Sequence, residues 1–242
     1  MPASRLADDI PLARRSQPAA SGRRVSPLRR LAWLLLACGL FSGSAALLAT
    51  GPLRSLLTPP PVAGLNARLS GDGRLLGHLP YPEASAATLV SLAPGMQLHR
   101  DAAEAFLAMQ RAAAADGVDL VVLSAFRPVS LQRELFFDVK AERNQSSVDR
   151  AHVSAPPGFS EHSTGYAVDL GDGRTPAANL SPSFDATPAY RWLAGNAARF
   201  HFQLSFPKGN RQGVSYEPWH WRYEGSTEAL RLFEPAHRLA QR

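Results

Sequence analysis

The 242-residue chain is long enough for one domain of ordinary size and a tail, and its 45% hydrophobic and 19% charged residues are a globular composition. Its one cysteine, Cys38, excludes an internal disulfide framework and a cysteine-built metal centre. The net charge of +6 does not signal nucleic acid, because residues 1–30 hold seven arginines against two aspartates, and +5 of the charge therefore sits in that tail.

Residues 31–49, LAWLLLACGLFSGSAALLA, carry no charge and match in length the ~30 Å hydrocarbon core of a bilayer at ~1.5 Å rise per residue. Arg29 and Arg30 stand directly before this run, which predicts an N-terminus inside and a C-terminal domain outside. A cleaved signal peptide is the alternative, but its apolar region is usually shorter and its leading segment briefer. Leu35 to Cys38 resembles a lipoprotein box only loosely, since Leu36 fits poorly and much of the apolar run follows the cysteine. The reading is thus a basic cytoplasmic tail at 1–30, a single-pass anchor or signal sequence at 31–49, a linker at 50–74 stiffened by Pro52, Pro59, Pro60 and Pro61, and a folded domain at 75–242.

Within that domain, Asp101 and Glu104 form a D-x-x-E start signal for a helix that runs to Ala115, is closed by Gly117, and offers Phe106, Leu107 and Met109 to the core. Val118 to Ser124 is apolar and β-branched, as a buried strand would be. Pro128 opens a second helix to about Arg143, with Leu131, Leu135, Phe136 and Val139 inward. Residues 144–161 read as a long loop, Tyr166 to Leu170 as a short strand, and Thr187-Pro188 as the start of a third helix. Phe200, Phe202, Leu204 and Phe206 alternate with polar residues as in a half-buried strand, and a last strand spans Tyr216 to Tyr223 with Pro218 forcing a break or an edge. The expected class is α+β, a mainly antiparallel sheet flanked by helices.

Two segments carry chemistry: Ser160-Glu-His-Ser-Thr-Gly-Tyr-Ala-Val-Asp169 and Glu217-Pro-Trp-His-Trp221. Together they offer His162, Asp169 and His220, and three N/O ligands with an open fourth position are the arrangement of catalytic zinc. Glu217, three residues before His220, is close enough to serve as a general base without being a ligand. A single His or Asp is more often a hydrogen-bonded surface residue, so the weight rests on the combination. His78, His99, His152, His201 and His237 have no motif around them and are taken as structural or exposed. Arg127 follows a buried strand, a rigid mount for a permanent charge that can stabilise an oxyanion; the other reading is a salt bridge at the helix–strand corner. Gly165 suits a tight turn, and core packing accounts for at least one of Trp219 and Trp221.

The order S-x-H-x-x-G-x-A-x-D, then E-x-W-H-W some fifty residues later, with Ser124-Ala-Phe-Arg127-Pro and Gln132 upstream, resembles the D-alanyl-D-alanine carboxypeptidases of VanY type. They belong to a wider group with the D,D-dipeptidases and the zinc-binding Hedgehog fold. The resemblance spans roughly 75–225. It implies one Zn2+ per chain held by His162, Asp169 and His220, Glu217 as catalytic base, and Arg127 as a catalytic and substrate-binding residue facing the scissile carbonyl oxygen. It also implies substrate contacts from Gln132 and Ser160. Phe126 stands where the family often has Tyr, which removes a hydroxyl. The implied partner is a peptidoglycan stem peptide, at a monomeric domain on the periplasmic or extracellular side of a bacterial cell membrane. A dipeptidase or a cell-wall endopeptidase of the same fold is the competing reading. Intact Glu217 and Arg127 speak against a non-catalytic zinc-bearing binding module. No G-x-S-x-G motif supports a serine acyl-enzyme.

Overall fold

The computed structural model describes residues 61–241, so the tail and anchor expected at 1–49 lie outside the described residues. Among the described residues no helix is long and apolar enough to cross a membrane. In chain order the elements are β1 (Leu89–Ala93), β2 (Met96–His99), α1 (Arg100–Ala115), β3 (Leu120–Ser124), α2 (Val129–Glu142), α3 (Ser147–Ala151), β4 (Ala167–Asp172), α4 (Pro188–Asn196), β5 (Phe202–Leu204), β6 (His220–Tyr223) and α5 (Thr227–Ala240). Strands β1 and β2 form a hairpin, and the other four make an antiparallel sheet in the order β3-β4-β6-β5. The α+β expectation holds at this level.

Alternation along the strands sorts the residues into two faces. Val168 and Leu170 of β4 and Trp221 and Tyr223 of β6 enter the main core with Phe106 and Met109 of α1, Leu193 of α4 and Phe233 of α5. Asp169, His220 and Arg222 alternate with them and are buried as well. They therefore need partners on the other face of the sheet.

Two helix faces differ from expectation. On α1, Phe106 and Met109 are buried but Leu107 is 40% exposed, because one residue is ~100° around a helix from its neighbour. On α2 the buried pair is Gln132 and Phe136, four apart, and Leu131 is 42% exposed. The expected loop at 144–161 contains α3, started by a reciprocal capping box between Ser146 and Asp149. The strand expected over Phe200–Phe206 shortens to β5, after a 3-10 turn at Ala197–Phe200. The hairpin β1–β2 and helix α5 escaped the sequence reading. In α5 an internal Pro235 disguises an amphipathic helix that buries Ala229, Phe233 and Ala236.

The linker boundary is also corrected. Val62, Leu65 and Leu75 are buried against Phe136, Ala151 and Phe159 in a second cluster, so packed residues begin shortly after Pro61, inside the stretch expected to be linker. His78 ties this segment down: its Nε2 donates to the Ala151 carbonyl at 2.7 Å.

Burial pushes His78 down from its ordinary 6.5 to about 4, although the Ala151 carbonyl pulls the other way. The unfolded chain therefore takes up a proton first as pH falls. The His78 contribution to stability is fully present above about pH 6.5 and is lost progressively toward about pH 4. Between about pH 7 and about pH 5 the loss is about 2 kcal/mol. His78→Gln keeps a donor for Ala151 but cannot titrate, so urea denaturation should show a smaller acid-side loss by that amount. The same loss in both proteins would remove His78 from the linkage.

Candidate metal centre

Strand register assembles the centre. Asp169 on β4 stands opposite Ser124 of β3 on one side and His220 of β6 on the other. His162 arrives from the 3-10 turn Glu161–Thr164, which ends at Gly165 in the left-handed region and leads into β4. A Cβ on Gly165 would lie 2.9 Å from Leu89 Cδ2 and 3.1 Å from the His99 nitrogen, so both space and φ call for glycine here. The chain after β3 clamps the turn: the Arg127 N–H donates to the His162 carbonyl at 3.2 Å, and Ser163 Oγ donates to the Arg127 carbonyl at 2.9 Å.

The expected metal set does come together. His162, Asp169 and His220 are all buried, with one ligand atom from each lying within 4.8 Å of the others. His162 Nδ1 donates to the Ala125 carbonyl at 2.8 Å, which leaves the Nε2 lone pair facing Asp169 Oδ2 at 3.2 Å. His220 is turned the other way. Its Nε2 meets Glu161 Oε2 at 3.0 Å, and its Nδ1 lies 3.1 Å from Asp169 Oδ1. One histidine thus offers Nε2 and the other Nδ1.

Glu161, which the sequence reading left without a role, organises the far side of His220. Its carboxylate also accepts from Ser205 Oγ, from Arg222 Nη1 at 3.2 Å and from Tyr81 Oη at 3.4 Å. Arg222 in turn pairs with Glu224, which His237 meets from the surface side at 2.6 Å. Burial alone would raise Glu161, but Arg222 and His220 hold it at about 2. Burial likewise opposes charge on His220, yet the hydrogen bonds to Asp169 and Glu161 lift it to about 10, so a metal ion taken up here would displace the proton from Nδ1. Burial would also raise Asp169, but His162 and His220 keep it well below the usual carboxylate range. Position within the quoted motif, directly before His162, was the one signal that could have marked Glu161.

Glu217 stands beside the three, its Oε2 3.8 Å from His220 Nδ1, and burial raises it to about 7. Arg127 Nη2 lies 3.8 Å from Asp169 Oδ2 and donates to Ser124 Oγ at 3.0 Å. Gln132, expected to contact substrate, lies outside the lining of the cleft described below. It is fully buried: its Oε1 accepts from Arg127 Nη1 at 2.8 Å and its Nε2 donates to the Ala155 carbonyl at 2.7 Å and to Ser154 Oγ. With its polar atoms committed, Gln132 steers Arg127. Ser160, Arg127, Glu217 and Trp219 do line a cleft of about 540 Å³ that opens on the three candidate ligands. Trp221 is core, its Nε1 donating to the Pro218 carbonyl. Of the other histidines, His78 borders this cleft, and His152 bonds the Gly213 carbonyl instead of joining the centre.

The profile of the family VanY, D-alanyl-D-alanine carboxypeptidase, matches residues 95–226. A D-alanyl-D-alanine carboxypeptidase of Enterococcus faecalis is 36% identical over 132 residues, 50% of this chain and 46% of that protein. The chain spans about half the length of the curated relatives it matches. Among solved structures, VanYB in complex with D-alanine-D-alanine is 30% identical at a TM-score of 0.52, covering 64% of this chain and 87% of that one. The vancomycin resistance D,D-pentapeptidase VanY, as a mutant in complex with Zn(II), is also 30% identical, at a TM-score of 0.50, covering 64% of this chain and 89% of that one. The span matched by the profile is more than half of the chain and holds Arg127, His162, Asp169, Glu217 and His220 together, and this chain belongs to the VanY family.

Proposed function

We propose that the protein is a zinc-dependent D,D-carboxypeptidase that removes the terminal D-alanine from peptidoglycan stem peptides. The observation that carries this reading is the buried His162–Asp169–His220 set, with Nε2 of His162 and Nδ1 of His220 turned inward by Ala125 and Glu161, in the lining of a cleft. The donor set, two imidazoles and one carboxylate, suits zinc with a position left for the reactants. Family membership, and the zinc and D-alanine-D-alanine bound by the VanY structures, support the same reading.

Zinc held by these residues would supply a Lewis acid for the peptide carbonyl and a more acidic water. Glu217, raised to about 7 by its burial, takes a proton from the attacking water and returns it to the leaving amine. Arg127 turns its guanidinium toward the charge that develops on the carbonyl oxygen, its direction set by Gln132 and Ser124. Glu161 is a positioning residue. It fixes the tautomer of His220 so that Nδ1 faces the ligand set. We place the domain outside a bacterial membrane, anchored by residues 31–49, on the strength of the uncharged run and the arginines before it.

Three outcomes are expected. D-alanine should be released from a peptide ending in D-alanyl-D-alanine, released no longer after chelation, and released again once zinc is restored; loss of a dipeptide or of an internal fragment would select the competing peptidase readings. Glu217→Gln should keep its zinc while kcat falls ~10²-fold or more, whereas His220→Ala should lose the metal by elemental analysis. Zinc retained in His220→Ala would reject the ligand set. Glu161→Gln should weaken zinc binding by ~10–100-fold against a chelating indicator, measured on protein that circular dichroism shows to be folded. Unaltered zinc affinity would reduce Glu161 to a packing role.

A further inference from the structure

The cleft has a second charged region that the chemistry above does not use. Arg150, at the end of α3, is only 8% exposed. Its side chain makes one hydrogen bond, from Nη2 to the Leu135 carbonyl at 2.9 Å, and its Nε is buried with no partner. Among the described residues no carboxylate pairs with it. The charges that act on it are Arg143 and Arg127, both cations, and with burial they pull its pKa below the ordinary value. Arg143 and Arg150 both line the cleft, and the acidic residues that share its walls, Glu161, Asp169 and Glu217, are those of the metal centre.

A guanidinium buried without a counter-ion is unfavourable and invites a ligand that supplies one. Its planar fork of donors matches a carboxylate better than any other common anionic group of a peptide. We propose that Arg150, with Arg143 at the rim, forms a carboxylate-binding subsite for the peptide substrate. The subsite rests on the carboxypeptidase reading for its substrate class. The carboxylate has two sources in such a peptide, the free C-terminus and an acidic group nearer the N-terminus.

The test uses the full-length zinc-loaded protein and one stem-type peptide in three forms: all acid, C-terminal amide, and internal-carboxylate amide. Arg150→Gln should raise KM for the all-acid peptide by about tenfold or more with little change in kcat, and the penalty should vanish for whichever amide lacks the recognised carboxylate. Arg150→Lys should recover part of the affinity, because it restores the charge without the fork. A KM change of equal size for all three peptides, or none, would overturn the subsite. Calorimetric binding of the same peptides to wild type separates this from failure of the parent reading. If nothing is hydrolysed, tighter binding of the all-acid form that is lost in Arg150→Gln still upholds the subsite, and equal binding of all three forms rejects it.

Discussion

The antiparallel register that sets Asp169 opposite His220 is the constraint on which the centre depends. Side chains alternate along a strand with a period of two, so a slip of one residue would turn Asp169 or His220 into the apolar core and bring Val168 or Trp221 to the site. Val168, Leu170, Trp221 and Tyr223 resist such a slip, because each is buried among apolar neighbours on the opposite face. The hydrophobic core thus holds the register, and the register holds the metal set. Short strands suffice for this, since β4 is buried along its whole length.

The polar face then has to accommodate an unusual density of buried charge. Asp169, Glu161, Arg222 and Glu224 are each below a tenth exposed, together with His162 and His220. Buried ion pairs rarely outdo an apolar replacement in net stability, while removal of one partner is strongly destabilising. Orientation is the better account of what they do. Glu161 receives donors from β6, from Ser205 just beyond β5 and from Tyr81, so the ring of His220 has little freedom to turn. A site preorganised in this way also couples metal binding to folding, because the unfolded chain offers no such cage.

Arg127 and Arg150 illustrate two environments for one residue type in one cleft. Arg127 is spoken for on several sides, by Gln132, Ser124 and the nearby Asp169 carboxylate, so its direction is set before any substrate arrives. Arg150 has a carbonyl on one nitrogen and, among the described residues, no carboxylate paired with it. On the proposed reading, the first suits charge that appears only during reaction and the second a charge that the substrate already carries.

The candidate residues of the centre can be picked out from the sequence alone. His162, Asp169, His220 and Glu217 are legible because residue types with ligand and base chemistry recur in short, ordered motifs, and Arg127 because a permanent charge follows a buried strand. The α+β class and most helices were legible from periodicity and start signals. Tertiary structure alone decided the roles that depend on what lies across space. Gln132 looked like a polar residue free for substrate, yet the face of α2 on which it lies buries it against Arg127 and Ala155. Glu161 stood inside the motif with no role, because its partners come from residues 81, 205, 220 and 222. The packed start of the domain at Val62 depended on Phe136, far along the chain, and Arg150 is notable only for the counter-ion that no neighbour supplies. Local sequence records what a side chain can do, and the partners that select among those possibilities are brought together only when the chain folds.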